Sequence, residues 1–345
     1  MPDTPSALLW GVRRYLAAPQ ARIIAIQRRS FLGGLSGSQF AYWQLRLRRA
    51  GVATNLTLVY KQGTVASGAF MQGAAQREAL AYSLLPPHLP LNLPTVVAVD
   101  APAGAIWMLP FSPSVATSHW RADWDKEDVR AVIADLARLH AAFWENSAQT
   151  SSWPWLLRPT TTDAGRLLAE GRESLEMLHD ARCEDDVFTS PRLQRLLALA
   201  RQPDILLELL NMGPTSLLHG DAGFQNIAIT RDRRRRIWYD WQLASWGPVA
   251  LDVATFLHPW GYLETTPPLS FQQMVEIYLG ELARRGCIVD ETSFFRQLDA
   301  AFLWRWLIQW APLFGKHRKR LRPDVRQRLA RAFERFHWPA LARMQ

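Results

Sequence analysis

The side chains best suited to chemistry lie in one short segment of the C-terminal half. The segment 217–226 reads LLHGDAGFQN and contains His219, Asp221 and Asn226, and Asp240 follows a second apolar run. A buried polar group costs several kcal/mol unless it is paired or binds a ligand. Polar residues at this density between apolar, strand-like runs therefore indicate a binding or catalytic role.

These residue types suit phosphoryl transfer. That reaction requires in-line positioning, a metal ion that neutralises phosphate charge, and a carboxylate that orients and deprotonates the attacking hydroxyl. Mg²⁺ prefers oxygen ligands, which Asn226 and Asp240 offer, and Asp221 is then available as the base. The order is that of a kinase catalytic loop followed by its metal-binding aspartate. We predict Asp221 as catalytic base and a Mg²⁺ site formed by Asn226 and Asp240.

Two residues nearer the N terminus fit the same reaction. Lys61 ends a predicted strand, and Glu78 lies on the helix predicted to follow it. In the kinase template, a lysine on the third strand holds the α and β phosphates of ATP and pairs with a glutamate on the next helix. We therefore predict that Lys61 and Glu78 contribute to an ATP-binding site.

A turn rich in small residues is the predicted phosphate loop. It contains Gly33, Gly34, Ser36 and Gly37, which do not form a strict G-x-G-x-x-G pattern. Small residues let backbone N–H groups approach phosphate oxygens. The alternative, an ordinary hairpin turn, stays open because glycine and serine are common in both.

The surrounding elements predict an α+β chain of two lobes. A β-rich N-lobe is expected at 1–111 and a mostly helical C-lobe at 112–345. Asp125 is the predicted N-cap of the first long C-lobe helix, and 193–210 is predicted as one helix. The expected N-lobe elements are strands at 23–26, 40–47, 54–61, 95–99 and 105–109, and a helix at 74–85.

The motif His219-Gly220-Asp221 with Asn226 and Asp240-Trp241 resembles the signature of the aminoglycoside phosphotransferase and choline kinase family. Protein kinases carry arginine where Gly220 stands, which favours the small-molecule branch. The resemblance covers about residues 30 to 260. It implies a protein-kinase-like fold, ATP and Mg²⁺ as cofactors, and a hydroxyl group on a small molecule as acceptor.

Further positions agree with the resemblance. The segment 136–140, LARLH, is similar to the family's helix ahead of the catalytic loop. Gly247-Pro248 and Asp252, with the DWQ at 240–242, look most like the ecdysteroid-kinase-like subgroup. We expect Asp252 to anchor the loop, and His140 and His219 to orient it by hydrogen bonds.

Composition restricts partners and location. Lys and Arg outnumber Asp and Glu by 40 to 31, giving a formal charge of +9. The basic runs 233–236 and 316–320 are short, so we predict solvated turns or helix ends and no nucleic-acid partner. Two cysteines exclude a disulfide framework. Without a signal-peptide core or a membrane span, a cytoplasmic location is expected; the sequence specifies no oligomeric state.

Several alternatives stay open. An inactive nucleotide-binding scaffold would keep the fold without the reaction, and a basic nucleic-acid-binding protein would use the arginine runs. A protein kinase is disfavoured because the turn between Asp240 and Asp252 is too short for an activation segment. At least some of the tryptophans Trp304, Trp306 and Trp310 are expected in the core. The functional alternatives are that these tryptophans form a cage for a quaternary ammonium or a pocket for an apolar alcohol.

Overall fold

The computed structural model describes residues 4–31, 38–63, 68–117, 123–181, 189–263, 266–316 and 321–344. The chain forms two compact units. The first unit comprises Met1–Ser67, Met71–Ala116 and Ala228–Leu243, and the second comprises Gly68–Phe70, Thr117–Ile227 and Ala244–Gln345. The segment Ala228–Leu243 thus belongs with the N-terminal unit, although it follows the predicted lobe boundary by more than a hundred positions.

The described strands, numbered β1 to β10, are Arg22–Phe31, Gln39–Arg49, Val52–Gln62, Val96–Asp100, Ala105–Met108, Val115–Thr117, Thr215–Leu218, Ile227–Thr230, Arg236–Trp238 and Ser245–Pro248. The described α-helices, numbered α1 to α13, are Ser6–Tyr15, Ala74–Leu84, Lys126–Ala142, Ser147–Ser151, Ala164–Asp180, Ser190–Arg201, Asp204–Asn211, Ala250–Leu257, Phe271–Ala283, Glu291–Arg305, Ala311–Phe314, Pro323–Ala332 and Trp338–Arg343.

An antiparallel five-stranded sheet forms most of the first unit, in the order β1-β2-β3-β5-β4. All five predicted N-lobe strands and the helix α2 are confirmed. Side chains alternate between the two faces of β2. Trp43, Leu45 and Leu47 lie on the buried face, and the residues between them lie on the exposed face. The pairing of β2 with β3 places Phe40 opposite Lys61, which fixes the face on which the lysine lies.

Helix α1, which was not predicted from the sequence, packs against the buried face of this sheet. Leu8 and Val12 are fully buried in the same apolar cluster as Trp43. Gly11 is the point of closest approach, because a Cβ there would lie 2.4 Å from the carbonyl oxygen of Val97 and 2.5 Å from the Cβ of Ala98. The helix can therefore approach the sheet this closely only with glycine at this position.

The second unit is mainly helical, and α3 begins as predicted. The side chain of Asp125 accepts hydrogen bonds from the backbone N–H groups of Glu127 and Asp128, and the Asp128 side chain accepts from the backbone of Asp125. This reciprocal arrangement satisfies three of the N–H groups that a helix start leaves without partners.

The single helix predicted at 193–210 is wrong. The chain forms α6 and α7 instead, with Gln202 and Pro203 between them. Proline lacks a backbone N–H and disfavours a helical conformation in the residue before it. The apolar periodicity continued across the break because both helices bury leucines, namely Leu193 and Leu197 on one and Leu206 and Leu210 on the other.

The tryptophans at the end of α10 and in the turn after it belong largely to the core of the second unit. Trp304 and Trp306 are fully buried, and the Trp304 indole donates to the carbonyl of Pro159. Trp306 lies with its ring centroid 4.5 Å from that of Phe333. Core packing, the expectation for at least part of this group, is confirmed for Trp304 and Trp306. Among the described helices, none is both long enough and apolar enough to cross a membrane.

We expect Gly11→Ala to lower the free energy of unfolding by about 1–3 kcal/mol, because the added methyl group would overlap the backbone of β4. Gly165→Ala is the matched control. Gly165 also lies in a helix, but nothing approaches its Cβ position within 4 Å. Alanine there should stabilise by up to about 1 kcal/mol through helix propensity. Urea unfolding followed by circular dichroism measures both, and equal effects would contradict the proposed close contact.

Candidate active site

A buried ion cluster lies in the first unit. The Lys61 ammonium on β3 lies 2.7 Å from Oε2 of Glu78 on α2. It also lies 2.6 Å from Oδ1 of Asp240, which follows β9. The structure thus brings together three of the predicted site residues, from three separate segments of the chain.

Burial determines the electrostatics of this cluster. Side-chain exposure is 6% for Lys61 and 4% for Glu78, against 23% for Asp240. Desolvation disfavours the Lys61 ammonium, but the carboxylates of Asp240 and Glu78 outweigh it and raise the pKa of Lys61. Desolvation also raises the pKa of Glu78 to about 7, because one ammonium shared with Asp240 offsets only part of the cost of a second buried negative charge.

Asp240 is held in an unusual backbone conformation. Its φ angle is +68°, a region that non-glycine residues occupy rarely and at an energetic cost. Its backbone N–H donates to the hydroxyl of Tyr82 on α2 at 3.1 Å. Two residues further on, the Gln242 carbonyl accepts from the buried Arg77 guanidinium at 2.7 Å. Helix α2 therefore fixes both the lysine partner and the turn that presents Asp240.

Sequence reasoning missed Tyr82 and Arg77, because their partners are distant in the chain. It also missed an aromatic group on the same sheet face as Lys61. The Phe40 ring lies 5.8 Å from the Lys61 Nζ, and Phe31 lies within ring contact of both Phe40 and Tyr42, at 5.5 and 4.8 Å between centroids. The period-2 pattern of β2 was the available signal for this face.

The predicted catalytic loop lies in the second unit, directly after β7. Strand β7 pairs with β10, with Leu218 opposite Ser245, so the loop begins at the end of a two-stranded sheet. The buried Asp252 of α8 accepts from the backbone N–H of His219 at 2.7 Å and from that of Gly220 at 2.8 Å. Asp252 therefore anchors the loop, as expected.

His140 supports this anchor from α3. Its Nε2 lies 3.3 Å from a carboxylate oxygen of Asp252, and its Nδ1 lies 2.7 Å from the Tyr278 hydroxyl. Burial disfavours the Asp252 carboxylate, but hydrogen bonds and charge from His140, His219 and the loop backbone outweigh it, so the pKa of Asp252 is lowered. The carboxylate is thus held in its charged, accepting form.

Asp221 and Asn226 contact each other within the loop. The Asn226 amide donates to both the backbone carbonyl and Oδ2 of Asp221, each at 2.8 Å. Since the Nδ2 atom makes these bonds, Oδ1 is the amide atom left to accept a donor or ligate a cation. The Asp221 N–H donates to Nδ1 of His219 at 3.3 Å, so His219 helps to set the direction of the loop at Asp221.

One more residue, which was not predicted from the sequence, contacts the loop. Arg305, at the end of α10, donates to the carbonyl oxygen of Gly220 at 2.8 Å. The predicted phosphate-loop residues are Gly33, Gly34, Ser36 and Gly37, all of which lie outside the described residues. Within the described part of the chain, no group of three or more His, Cys, Asp or Glu residues is arranged to hold a metal ion.

Comparisons with known proteins identify the family of the sequence and the fold of the chain. The sequence matches the model of a family described as the phosphotransferase enzyme family over residues 69–286. No curated protein matches the sequence. Solved structures with the same fold include the choline kinase LicA from Streptococcus pneumoniae, with 14% identity, a TM-score of 0.50, and coverage of 96% of this chain and 98% of that chain.

Two further structures extend the comparison. A macrolide 2'-phosphotransferase type I shares 16% identity at a TM-score of 0.53, covering 97% of this chain and 99% of its own. The GDP complex of aminoglycoside 2'-phosphotransferase-IIIa shares 12% identity at a TM-score of 0.55, covering 99% and 100%. The fold of this chain is accordingly α+β and protein-kinase-like, with an antiparallel sheet in its N-terminal part and a helical C-terminal part.

The raised pKa of Glu78 predicts a pH-dependent stability. A carboxyl that titrates at about 7 in the folded chain and near 4.5 when unfolded binds more protons in the folded state between these values. The free energy of unfolding should therefore fall as pH rises through this window, by up to about 3 kcal/mol. Glu78→Gln should lose that slope. Chemical unfolding at pH 5, 6, 7 and 8 tests this, and parallel curves for the two proteins would contradict it.

Proposed function

The chain belongs to the phosphotransferase enzyme family, and on that premise we propose that it transfers the γ-phosphoryl group of ATP to a hydroxyl group of a small molecule. The observation that carries the proposal is the buried cluster of Lys61, Glu78 and Asp240. A buried ammonium held by two carboxylates has little value for stability alone, but it supplies a positioned positive charge for a polyphosphate.

Lys61 is the proposed contact to the nucleotide phosphates. Its ammonium is fixed in place by Glu78 and keeps its proton, since the neighbouring carboxylates raise its pKa. A charged donor that is already positioned needs no reorganisation when phosphate charge develops. Glu78 acts as the positioning partner. The turn with Gly33, Gly34, Ser36 and Gly37 remains the proposed phosphate loop.

The aromatic face beside Lys61 is the proposed surface for the nucleobase. The Phe31 ring contacts the rings of Phe40 and Tyr42. Phe31 and Tyr42 are substantially exposed, at 38% and 41%. Exposed aromatic rings offer a flat apolar surface on which a base can stack, in a manner that tolerates different bases.

Asn226 and Asp240 are the proposed magnesium ligands. Both offer oxygen atoms, which fits a hard cation, and the Asn226 amide is oriented so that its nitrogen is occupied by Asp221. When bound, Mg²⁺ supplies neutralisation of the phosphate charge during transfer. Asp240 presents its carboxylate from a backbone conformation that Tyr82 helps to hold.

Asp221 is the proposed general base. The Asn226 amide donates to Oδ2 of Asp221, which fixes the carboxylate plane, and the loop backbone is anchored by Asp252. In the proposed step, the acceptor hydroxyl gives its proton to Asp221 as its oxygen bonds to the γ-phosphorus. The bond from that phosphorus to the bridging oxygen of ADP breaks at the same time.

The acceptor is proposed as a small molecule bearing an alcohol group. The structural relatives are named for choline, macrolide and aminoglycoside substrates, which differ widely in shape and charge. Trp304 and Trp306 contribute no cage, since both are fully buried in the core. A panel of alcohols containing choline, a macrolide and an aminoglycoside is therefore the reasonable first set of acceptors.

A melting experiment tests the nucleotide and metal assignments. Mg·ATP at a hundredfold excess over its Kd should stabilise the folded chain by about 2.7 kcal/mol, and hence raise the Tm by several degrees. Asp240→Ala should abolish the magnesium-dependent part of the shift. Asp232→Ala, which removes an exposed carboxylate from the neighbouring β8–β9 turn, is the control. A wild-type Tm unchanged by millimolar Mg·ATP would contradict the proposed function.

A kinetic experiment tests the base. Asp221→Asn should lower ADP formation with the acceptor panel by about 10²- to 10⁴-fold, the range expected when general-base catalysis is lost. The Mg·ATP-induced shift in Tm should persist in this variant, because the substitution leaves Lys61 and Asp240 in place. Turnover equal to that of the wild type would refute the assignment. A preserved shift with no turnover in the wild type would instead indicate an inactive nucleotide-binding scaffold.

A further inference from the structure

Arg305 is a buried arginine, which is uncommon because arginine is almost never fully buried unless it is paired. Its residue is only 7% exposed, and it lies at the end of α10, directly before a wider, π-helical turn at Trp306–Trp310. Such turns are rare and occur often at functional sites. Burying a guanidinium is costly unless its donors are satisfied, so the groups that it contacts are informative.

The contacts of Arg305 converge on the catalytic loop. One terminal nitrogen donates to the carbonyl oxygen of Gly220 at 2.8 Å and also to the Thr255 hydroxyl on α8. The other terminal nitrogen donates to the Gln309 side chain within the π-helical turn. The Thr255 hydroxyl itself donates to the Leu251 carbonyl at 2.7 Å, which leaves its oxygen to accept from the arginine.

The contacted carbonyl belongs to the peptide group that immediately precedes Asp221. The other end of that peptide, the Asp221 N–H, donates to His219. The previous peptide is held by Asp252 through the Gly220 N–H. Arg305 therefore completes the set of contacts that fix both peptide groups leading to Asp221.

Gly220 explains why such a contact is needed. Its φ angle is +82°, a conformation that glycine adopts freely, along with many others. A glycine before the base leaves the following peptide free to rotate unless an external group holds its carbonyl oxygen. Rotation of that peptide would turn the Cα–Cβ bond of Asp221, and with it the carboxylate.

We propose that Arg305 is a positioning residue for phosphoryl transfer, which holds the Gly220–Asp221 peptide so that the Asp221 carboxylate faces the acceptor hydroxyl. The inference rests on the proposed function. Arginine suits the role better than lysine, because its planar group offers several donors in fixed directions and here bridges three partners. Arg305 touches neither nucleotide nor acceptor in this role, and its effect passes through the loop backbone.

Turnover of three variants tests the role. With Mg·ATP and the acceptor panel, Arg305→Gln should lower kcat for ADP formation on the order of 10- to 100-fold, since misplacing a reacting group by about 1 Å has effects of this size. The KM for Mg·ATP should change by less than about twofold, because the nucleotide residues are untouched. Arg305→Lys should recover part of the lost kcat, because a single charged donor can still reach a carbonyl oxygen.

Arg343→Gln is the matched control. Arg343, at the end of α13, makes a bidentate ion pair with Asp299 of α10 at 2.7 and 2.6 Å. The substitution therefore removes a surface arginine contact to α10, the helix that carries Arg305. Its kcat should equal that of the wild type. The proposal is overturned if Arg305→Gln retains wild-type kcat, if Arg305→Lys recovers nothing, or if Arg343→Gln lowers kcat equally.

Hydrogen exchange separates this inference from the proposed function. Amide exchange at 219–221 should accelerate by at least about tenfold in Arg305→Gln and stay unchanged in Arg343→Gln, since local opening depends on the contacts that hold the loop. If the wild type forms no ADP, the proposed function fails. If amide exchange at 219–221 does not accelerate in Arg305→Gln, the proposed contact to the Gly220–Asp221 peptide is refuted, whatever the outcome for ADP formation. Should Arg305→Gln fail to fold, Thr255→Val, which removes one supporting partner, should show a smaller acceleration at the same amides.

Discussion

The first unit depends on one ammonium group shared by two carboxylates. Lys61 lies within 3 Å of both Glu78 and Asp240, and two of these three side chains are almost completely buried. An ion cluster of this kind contributes little to stability, because desolvation offsets most of the attraction. Its value lies in position, since it fixes α2, β3 and the turn after β9 relative to each other. The same constraint explains the strained backbone of Asp240, which is tolerated because its neighbours hold it.

In the second unit, buried charged side chains hold the backbone of the loop before Asp221 in a comparable way. Asp252 accepts from two successive N–H groups of the loop, and Arg305 donates to the carbonyl that follows. Before Asp221, the negative carboxylate therefore holds backbone N–H groups and the positive guanidinium holds a backbone carbonyl. Asp252 and Arg305 are both buried, and hydrogen bonds are stronger in a buried environment than in water. A flexible glycine can precede the proposed base because contacts from α8 and α10 help to hold the loop conformation.

The local elements were largely predictable, and the exceptions have physical reasons. The N-lobe strands followed largely from residue types that favour strands. The start of α3 followed from the capping chemistry of Asp125. The break at Pro203 was hidden because the leucine periodicity continued on both sides of it. Helix α1 was missed, and its key feature, the close approach at Gly11, depends on a strand more than eighty residues away.

By itself, the sequence determined which functional groups are available and in what order. The types and spacing of His219, Asp221, Asn226 and Asp240 indicated phosphoryl transfer, since that chemistry requires oxygen ligands and a carboxylate base. Only the tertiary structure decided that Lys61 contacts Asp240, 179 positions away, and that Arg305 contacts Gly220, 85 positions away. The reason is that a buried charged side chain forms its ion pair or hydrogen bond with a group that tertiary packing places beside it. Packing depends on the whole core and leaves no local pattern in the chain.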